Sequence, residues 1–127
     1  MLEPRSVFKA TAVNHIAYGV ADYSRSRDFC MDLLGMKCVF DDGQRCSVAF
    51  GSPERAIYIG PSRQPGKQPF VDHLAFSIES FDLLAVEAEL KRLGLDPEPD
   101  GDYAWTILDP DGYRIQVCAE TGVFPGA

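Results

Sequence analysis

The sequence predicts an α+β fold in which one βαβββ module occurs twice. Two segments, VNHIAYGV at 13–20 and VDHLAFSI at 71–78, match position by position. Each is followed by a stretch with helical periodicity and then by short β-like runs. Each also contains one of the two histidines of the chain, at the same place. We therefore expect a single domain spanning residues 1–127, with module one at about 12–60 and module two at about 70–120.

In module one, the repeated segment is predicted to be a strand, and a helix is predicted over 22–34. Asp22 can cap the start of this helix, and Gly35 is placed to end it. The apolar residues on one face of the helix are Phe29, Cys30, Leu33 and Leu34. Three strands follow at about 37–40, 45–50 and 56–59, with turn signals at 42–43 and 52–53.

In module two, Ser80 or Asp82 can cap a second helix, and Gly94 stands at its C-terminal end. The apolar residues of this helix recur at intervals of three and four, as Leu83, Val86, Leu90 and Leu93. A weak strand is predicted near 95–98 and a clear one at 103–108. The turn sequence DPDG at 109–112 leads to a final strand at 113–118, and the stretch 60–69 connects the two modules.

The composition excludes several classes of partner. The chain is 46% hydrophobic and 24% charged, and its net charge of -7 repels phosphate backbones and anionic lipids. We therefore expect no nucleic-acid partner and no membrane partner. No segment approaches the roughly 20 apolar residues of a membrane span, and the N-terminal stretch does not match a signal peptide, which favours a cytoplasmic protein. The four cysteines show no CxxC spacing and are predicted to be small buried residues.

Alternation along the two repeated strands places both histidines on a face made of very small residues. His15 shares its face with Ala17 and Gly19, and His73 shares its face with Ala75 and Ser77. A face that its own strand does not fill is typical of a pocket. On the last strand the polar set is Arg114 and Gln116, which we expect to face the same cavity. The alternative interpretation is that the histidines are hydrogen-bonded core residues.

The segments VNHIAYGV, RDFCMDLLGM, VDHLAFSI and DPDGYRIQV resemble the vicinal oxygen chelate superfamily, over about 13–120. That superfamily includes glyoxalase I, fosfomycin and bleomycin resistance proteins, and extradiol dioxygenases. The resemblance implies an incomplete, curled mixed sheet around a pocket, a divalent metal ion (Fe, Mn, Ni or Zn), no organic cofactor, and a homodimer. Carried over by position, it implies that the metal ligands are His15, His73 and Gln116, with Tyr58 where glyoxalases place an acidic ligand.

Two positions depart from the pattern of the metal-dependent members. The last-strand ligand is usually Glu, whereas Gln116 offers an amide dipole and no negative charge. Tyr58 is a poor ligand for a hard divalent ion, so we expect it in the pocket wall. The predicted substrate pocket contains Tyr58, Ser77, Tyr103, Trp105 and Arg114. Core packing is the alternative for each of these aromatic residues.

The resemblance leaves two function classes open. One is a metal-dependent lyase, isomerase or ring-cleaving dioxygenase that binds a small substrate through two adjacent oxygens. No general base is evident for it in the sequence. Thiol transfer of the fosfomycin type needs a cationic pocket, for which Arg114 with Lys67 or Arg63 is the available set. The other class is a metal-free, drug-sequestering protein of the bleomycin resistance type, whose acidic balance would attract a cationic ligand.

Overall fold

The chain is described by a computed structural model that covers residues 3–64, 66 and 69–121. Module one consists of β1 (Ala10–Gly19), α1 (Tyr23–Leu34), β2 (Lys37–Asp41), β3 (Cys46–Phe50) and β4 (Ser52–Gly60). Module two consists of β5 (Phe70–Ile78), α2 (Leu83–Arg92), β6 (Glu98–Asp100), β7 (Ala104–Leu108) and β8 (Arg114–Cys118). The structure confirms the predicted α+β fold and its repeated βαβββ order.

All eight strands form one mixed sheet in the order β2-β3-β4-β1-β5-β8-β7-β6. Each module has the same internal order, because β1 runs parallel to β4 and β5 runs parallel to β8. The modules meet in the middle of the sheet, where β1 and β5 pair antiparallel. Strands β2 and β6 lie at the two edges, so the sheet is curled without closing into a barrel.

Local sequence signals set the ends of the helices. The side chain of Asp22 accepts a hydrogen bond from the backbone N–H of Ser24, which caps α1. Gly35 ends α1 in the left-handed conformation, at φ 64°, which a residue with a side chain rarely adopts. Asp82 stands at the N-terminus of α2 without a side-chain cap bond. The described helices do not include one that has both the length and the hydropathy to span a membrane.

The two faces of the sheet are packed differently. On the outer face, α1 covers a cluster of buried residues: Cys30, Cys46, Val48, Ile57 and Ile59. Helix α2 covers a second outer cluster of Val86, Leu90 and Trp105. The inner face is lined mostly by small buried residues: Ala17, Ala56, Tyr58, Ala75, Ala104 and Cys118. Small side chains at the centre of the inner face leave room for polar groups to meet there.

The expected buried face of α1 is only partly covered. Cys30 is the buried residue of this helix, whereas Phe29 and Leu33 are 62% and 65% exposed. Helix α1 packs mainly on β2, β3 and β4, and α2 packs mainly on β7, so the helices cover little of the outer side of the central strands β1 and β5. Val13 of β1 and Val71 of β5 are accordingly exposed.

None of the four cysteines forms a disulfide. Cys30, Cys46 and Cys118 are buried, as predicted, and Cys38 is half-buried. Burial raises the pKa of the Cys46 thiol to about 12, since the thiolate would lose its hydration. Cys46 is therefore a packing residue.

Candidate functional site

Two β-bulges shape the centre of the inner face. On β1, Val13 pairs with Phe76 and His15 pairs with the next residue of β5, Ala75. Asn14 is therefore an extra residue without a partner on β5. Between 73 and 71 on β5 the reverse occurs, and Asp72 is the extra residue. A bulge turns neighbouring side chains toward the same side of a strand, which strict alternation forbids. Asn14 and Asp72 are consequently both buried beside the histidine that follows each of them.

The bulge residues hold the two imidazoles. His15 Nδ1 lies 2.8 Å from Asn14 Oδ1, and His73 Nδ1 lies 3.0 Å from Asp72 Oδ1. A carboxylate only accepts hydrogen bonds, so His73 carries its proton on Nδ1. The Asn14 oxygen is also an acceptor, so His15 carries its proton on Nδ1 as well. The two Nε2 atoms then face each other at 3.1 Å as acceptors. Two lone pairs at this distance repel each other unless a positive charge lies between them.

Both histidines are neutral at physiological pH. Burial lowers the pKa of His15 to about 3, and repulsion from His73 when that ring is protonated, and from Arg63, adds to the effect. Burial also lowers the pKa of His73, although the hydrogen bond that His73 donates to Asp72 opposes that change. A neutral imidazole is the form that binds a metal ion.

A further set of hydrogen bonds fixes the bulge residues. Asn14 Nδ2 donates to Ser77 Oγ at 3.2 Å, and Arg114 Nη1 donates to Asp72 Oδ1 at 2.6 Å. Ser77 and Arg114 were predicted from the sequence as pocket residues. The structure places both of them near the histidines, where they contact the residues that orient the imidazoles.

Gln116 belongs to the same row of the sheet. It lies opposite Ala75 in the β5–β8 pair, and Ala75 lies opposite His15 in the β1–β5 pair. Its amide Nε2 donates to Asp100 Oδ2 at 2.8 Å, which fixes the nitrogen because a carboxylate cannot donate. The side chain is fully buried, and its Oε1 has no hydrogen-bond partner among the described residues. An acceptor buried in this way is costly unless a ligand contacts it.

The other predicted pocket residues divide between the two faces. Tyr58 stacks on His15 with ring centroids 4.2 Å apart, so it forms the pocket wall. Tyr103 packs against the inner cluster, and its hydroxyl lies 3.5 Å from Asp100 Oδ1. Trp105 is a correction to the expected pocket: it lies on the outer face under α2, where its Nε1 donates to the carbonyl of Leu83 at 2.8 Å.

A cavity of about 40 Å³ opens beside the histidines. Its lining includes Tyr58, Asp72 and His73 from the site and two cationic side chains, Arg45 and Arg63. Lys67, which was also considered for a cationic pocket, lies outside the described residues. The described part of the chain holds no cluster of three His, Cys, Asp or Glu side chains fit for a metal.

Sequence reasoning missed Asn14, Asp72, Asp100 and Arg45. Asn14 and Asp72 had a visible signal, because each is a short polar residue directly before a histidine at the same repeat position. Asp100 and Arg45 had no such signal. Asp100 ends the edge strand β6 and Arg45 directly precedes β3, so both come from strands that are distant from β1 and β5 in the sheet order, and alternation along one strand does not reveal their approach.

Comparison with known proteins identifies the family of the chain. The model of the Glyoxalase/Bleomycin resistance protein/Dioxygenase superfamily matches residues 12–117. None of the curated proteins is similar enough to match the chain.

Solved structures share the fold at low sequence identity. A variant of homoprotocatechuate 2,3-dioxygenase from Brevibacterium fuscum superposes with a TM-score of 0.72 at 22% identity, over 94% of this chain and 36% of its own. Methylmalonyl-CoA epimerase from Mycobacterium tuberculosis superposes with a TM-score of 0.67 at 18% identity, over 95% of this chain and 94% of its own. The Mn(II)-bound glyoxalase from Novosphingobium aromaticivorans superposes with a TM-score of 0.71 at 23% identity, over 95% of this chain and 42% of its own. This chain therefore spans well under half of the dioxygenase and glyoxalase chains.

Proposed function

Because the chain belongs to the glyoxalase/bleomycin resistance protein/dioxygenase superfamily, we propose that it binds one divalent metal ion through His15, His73 and Gln116. The observation that carries the proposal is the 3.1 Å separation of the two Nε2 atoms. Two nitrogens bound to one metal at about 2.1 Å lie about 3 Å apart when the N–metal–N angle is near 90°. The imidazoles are thus already at the spacing that a shared metal ion requires.

The third ligand fits by its unsatisfied oxygen. Asp100 holds the amide nitrogen of Gln116, and Oε1 remains buried without a hydrogen-bond partner among the described residues. Two imidazole nitrogens and one amide oxygen suit Fe, Mn, Ni or Zn, with Fe and Mn favoured by the oxygen donor. All three ligands are neutral, so we expect weaker metal binding than in a site with a carboxylate.

The remaining residues of the site hold and surround this centre. A bound metal would supply Lewis-acid polarisation of two adjacent substrate oxygens. Asn14 and Asp72 fix the imidazole rings through Nδ1, which is the arrangement that orients histidine ligands. Asp72 also lines the cavity, and its Oδ2 has no hydrogen-bond partner among the described residues. That oxygen is the acceptor available for a substrate proton, so we propose a lyase, isomerase or dioxygenase type of reaction at this site.

A metal-free binding protein is the second candidate. The distance of 3.1 Å also fits a direct hydrogen bond between the histidines if one Nε2 carries a proton. For His15 to carry it, the Asn14 amide would have to donate to Nδ1 through its nitrogen. The cavity argues against the cationic ligand expected for such a protein, because Arg45 and Arg63 line it. We therefore rank this candidate second.

The assembly and location belong to the same proposal. The exposed apolar side chains of α1, Phe29, Leu33 and Leu34, support a homodimer, since stripes of this kind are commonly covered by a partner. We further propose that the protein works in the cytoplasm, consistent with its reduced cysteines.

Metal titration tests the proposed function. Protein stripped with a chelator is titrated with Mn²⁺, Fe²⁺, Ni²⁺ and Zn²⁺ under anaerobic conditions, and the stoichiometry is measured by elemental analysis. We expect one metal ion per chain, and its loss in the His15→Ala, His73→Ala double variant. Lys37→Gln, an exposed change on the edge strand β2, is the matched control. Unchanged metal binding by the double variant would refute the assigned ligands.

A further inference from the structure

Two arginines stand at the cavity beside His73. Arg45 directly precedes β3, and Arg63 follows the end of β4. Arg45 makes no ion pair within 4 Å among the described residues. Arg63 is 41% exposed and reaches Asp100 Oδ2 only at 3.6 Å. The cavity of an acidic protein thus carries two guanidinium groups whose hydrogen-bonding capacity is largely unused.

The chain leaves space for one of these side chains. A Cβ added to Gly60 would lie 2.9 Å from Arg45 Cβ and 3.9 Å from Arg45 Nε. Gly60 has no positive φ, so its lack of a side chain, and not its backbone freedom, is what the position requires. Gly60 also lines the cavity. The glycine therefore lets the arginine extend along the cavity wall.

The charges around the site leave Arg45 without an ion pair among the described residues and Arg63 with one long contact, to Asp100. Arg114 is paired with Asp72, and the three predicted metal ligands are neutral. Asp100 is the carboxylate that faces Arg63, but it also accepts the hydrogen bond from Gln116. A bound divalent cation would add to this positive charge, which an anionic substrate would offset.

We propose that Arg45 and Arg63 bind a carboxylate group of the substrate, which makes the substrate a small carboxylate anion with two adjacent oxygens at its other end. The planar fork of a guanidinium group matches a carboxylate, and two forks at one cavity fix its position. The cavity of about 40 Å³ has room for a group of this size. This inference rests on the proposed function, because the metal ion would hold the oxygens that the arginines do not contact.

The test uses two matched probes. Succinic acid monohydroxamate carries a carboxylate at one end and two adjacent oxygens at the other. Its primary amide has the same shape and the same chelating end but no carboxylate. Binding of each to the metal-loaded full chain is measured by calorimetry. We expect the acid to bind about tenfold to a hundredfold more tightly than the amide.

Four variants and one control show which residues cause the preference for the acid over the amide. Arg45→Gln and Arg63→Gln should each reduce it, and the double variant should bind acid and amide alike, while metal affinity stays within about twofold. Gly60→Ala should also reduce it by displacing Arg45. Arg25→Gln, an exposed change on α1, should retain the full preference.

The outcomes separate the two proposals. If the loaded wild-type protein binds acid and amide equally, or if the double arginine variant keeps the preference, carboxylate binding by these arginines is refuted and the metal site stands. If the wild-type protein binds no metal, the proposed function fails. Succinate and succinamide are then compared on the metal-free chain. A preference for succinate that the double variant loses supports the arginine site, and its absence refutes it.

Discussion

Replacing Gln116 by glutamate, Gln116→Glu, puts a second carboxylate where an amide now donates to Asp100 at 2.8 Å. The change removes a buried hydrogen bond to a charged group and sets two buried negative charges against each other. Together these effects should lower the free energy of unfolding of the metal-free protein by about 3 kcal/mol at pH 8. For a chain of 127 residues that corresponds to a fall in Tm of about 10 °C.

The loss of stability in Gln116→Glu should increase as the pH rises. A protonated carboxyl can donate to Asp100 as the amide does, so folding raises the pKa of the introduced group above its unfolded value. A group with a raised folded pKa stabilises at low pH, and that contribution is lost as pH rises through the folded pKa. The variant should therefore melt close to the wild type at pH 5 and well below it at pH 8. Thermal melts at both pH values measure this difference.

Metal should reverse the defect, because a carboxylate adds negative charge to the ligand set. We expect Gln116→Glu to bind a divalent metal about tenfold more tightly than the wild type and to regain its lost Tm on loading. The control is Gln116→Glu combined with Asp100→Asn, which restores a donor and should recover most of the stability without metal. A metal-free Gln116→Glu protein as stable as the wild type at pH 8 would refute the bond between Gln116 and Asp100.

Three other predictions follow from the contacts of single side chains. Asp72→Asn removes the charge that orients His73 and should weaken metal binding about 10-fold to 100-fold in a metal titration, whereas an unchanged affinity would contradict the role of this carboxylate. Trp105→Phe loses one hydrogen bond under α2 and should lower stability by about 1 kcal/mol in urea melts, with no effect on binding of either hydroxamate probe. Thiol alkylation of the native protein at pH 8 should modify half-buried Cys38 first and leave Cys46, with its pKa of about 12, unmodified in peptide mass analysis.

Most of the fold could be predicted from the internal repeat. The matching strands around His15 and His73 predicted two equivalent modules, and the same order of pairing in each half of the sheet follows from that equivalence. The helix ends were also local, since Asp22 and Gly35 act within a few residues of themselves. Local signals of this kind are readable from one segment at a time.

The predictions were wrong where the face on which a side chain lies depends on how its segment packs against distant segments. Trp105 lies within β7, whose alternation turns Ala104 inward and the indole outward. Tyr103 stands just before that strand, so its contact with the inner face does not follow the same alternation. On α1, the sheet covers only the stripe near Cys30, and the helix pattern alone does not reveal which part of an apolar face is covered.

The histidine partners were out of reach of simple alternation for a similar reason. A β-bulge is a mismatch between two strands, and the bulges at Asn14 and Asp72 arise from the pairing of β1 with β5, more than 50 residues apart. They turn a polar residue inward beside each histidine. Without them, Asn14 and Asp72 would face the helices and the imidazoles would lack their hydrogen-bond acceptors.

The most direct test of the central claim is a crystal structure of the Mn²⁺-loaded protein with anomalous diffraction data. The account predicts one anomalous peak in contact with His15 Nε2, His73 Nε2 and Gln116 Oε1, at about 2.1 to 2.3 Å from each. Absence of a peak between the two histidines, with their Nε2 atoms still about 3 Å apart in a direct hydrogen bond, would contradict it.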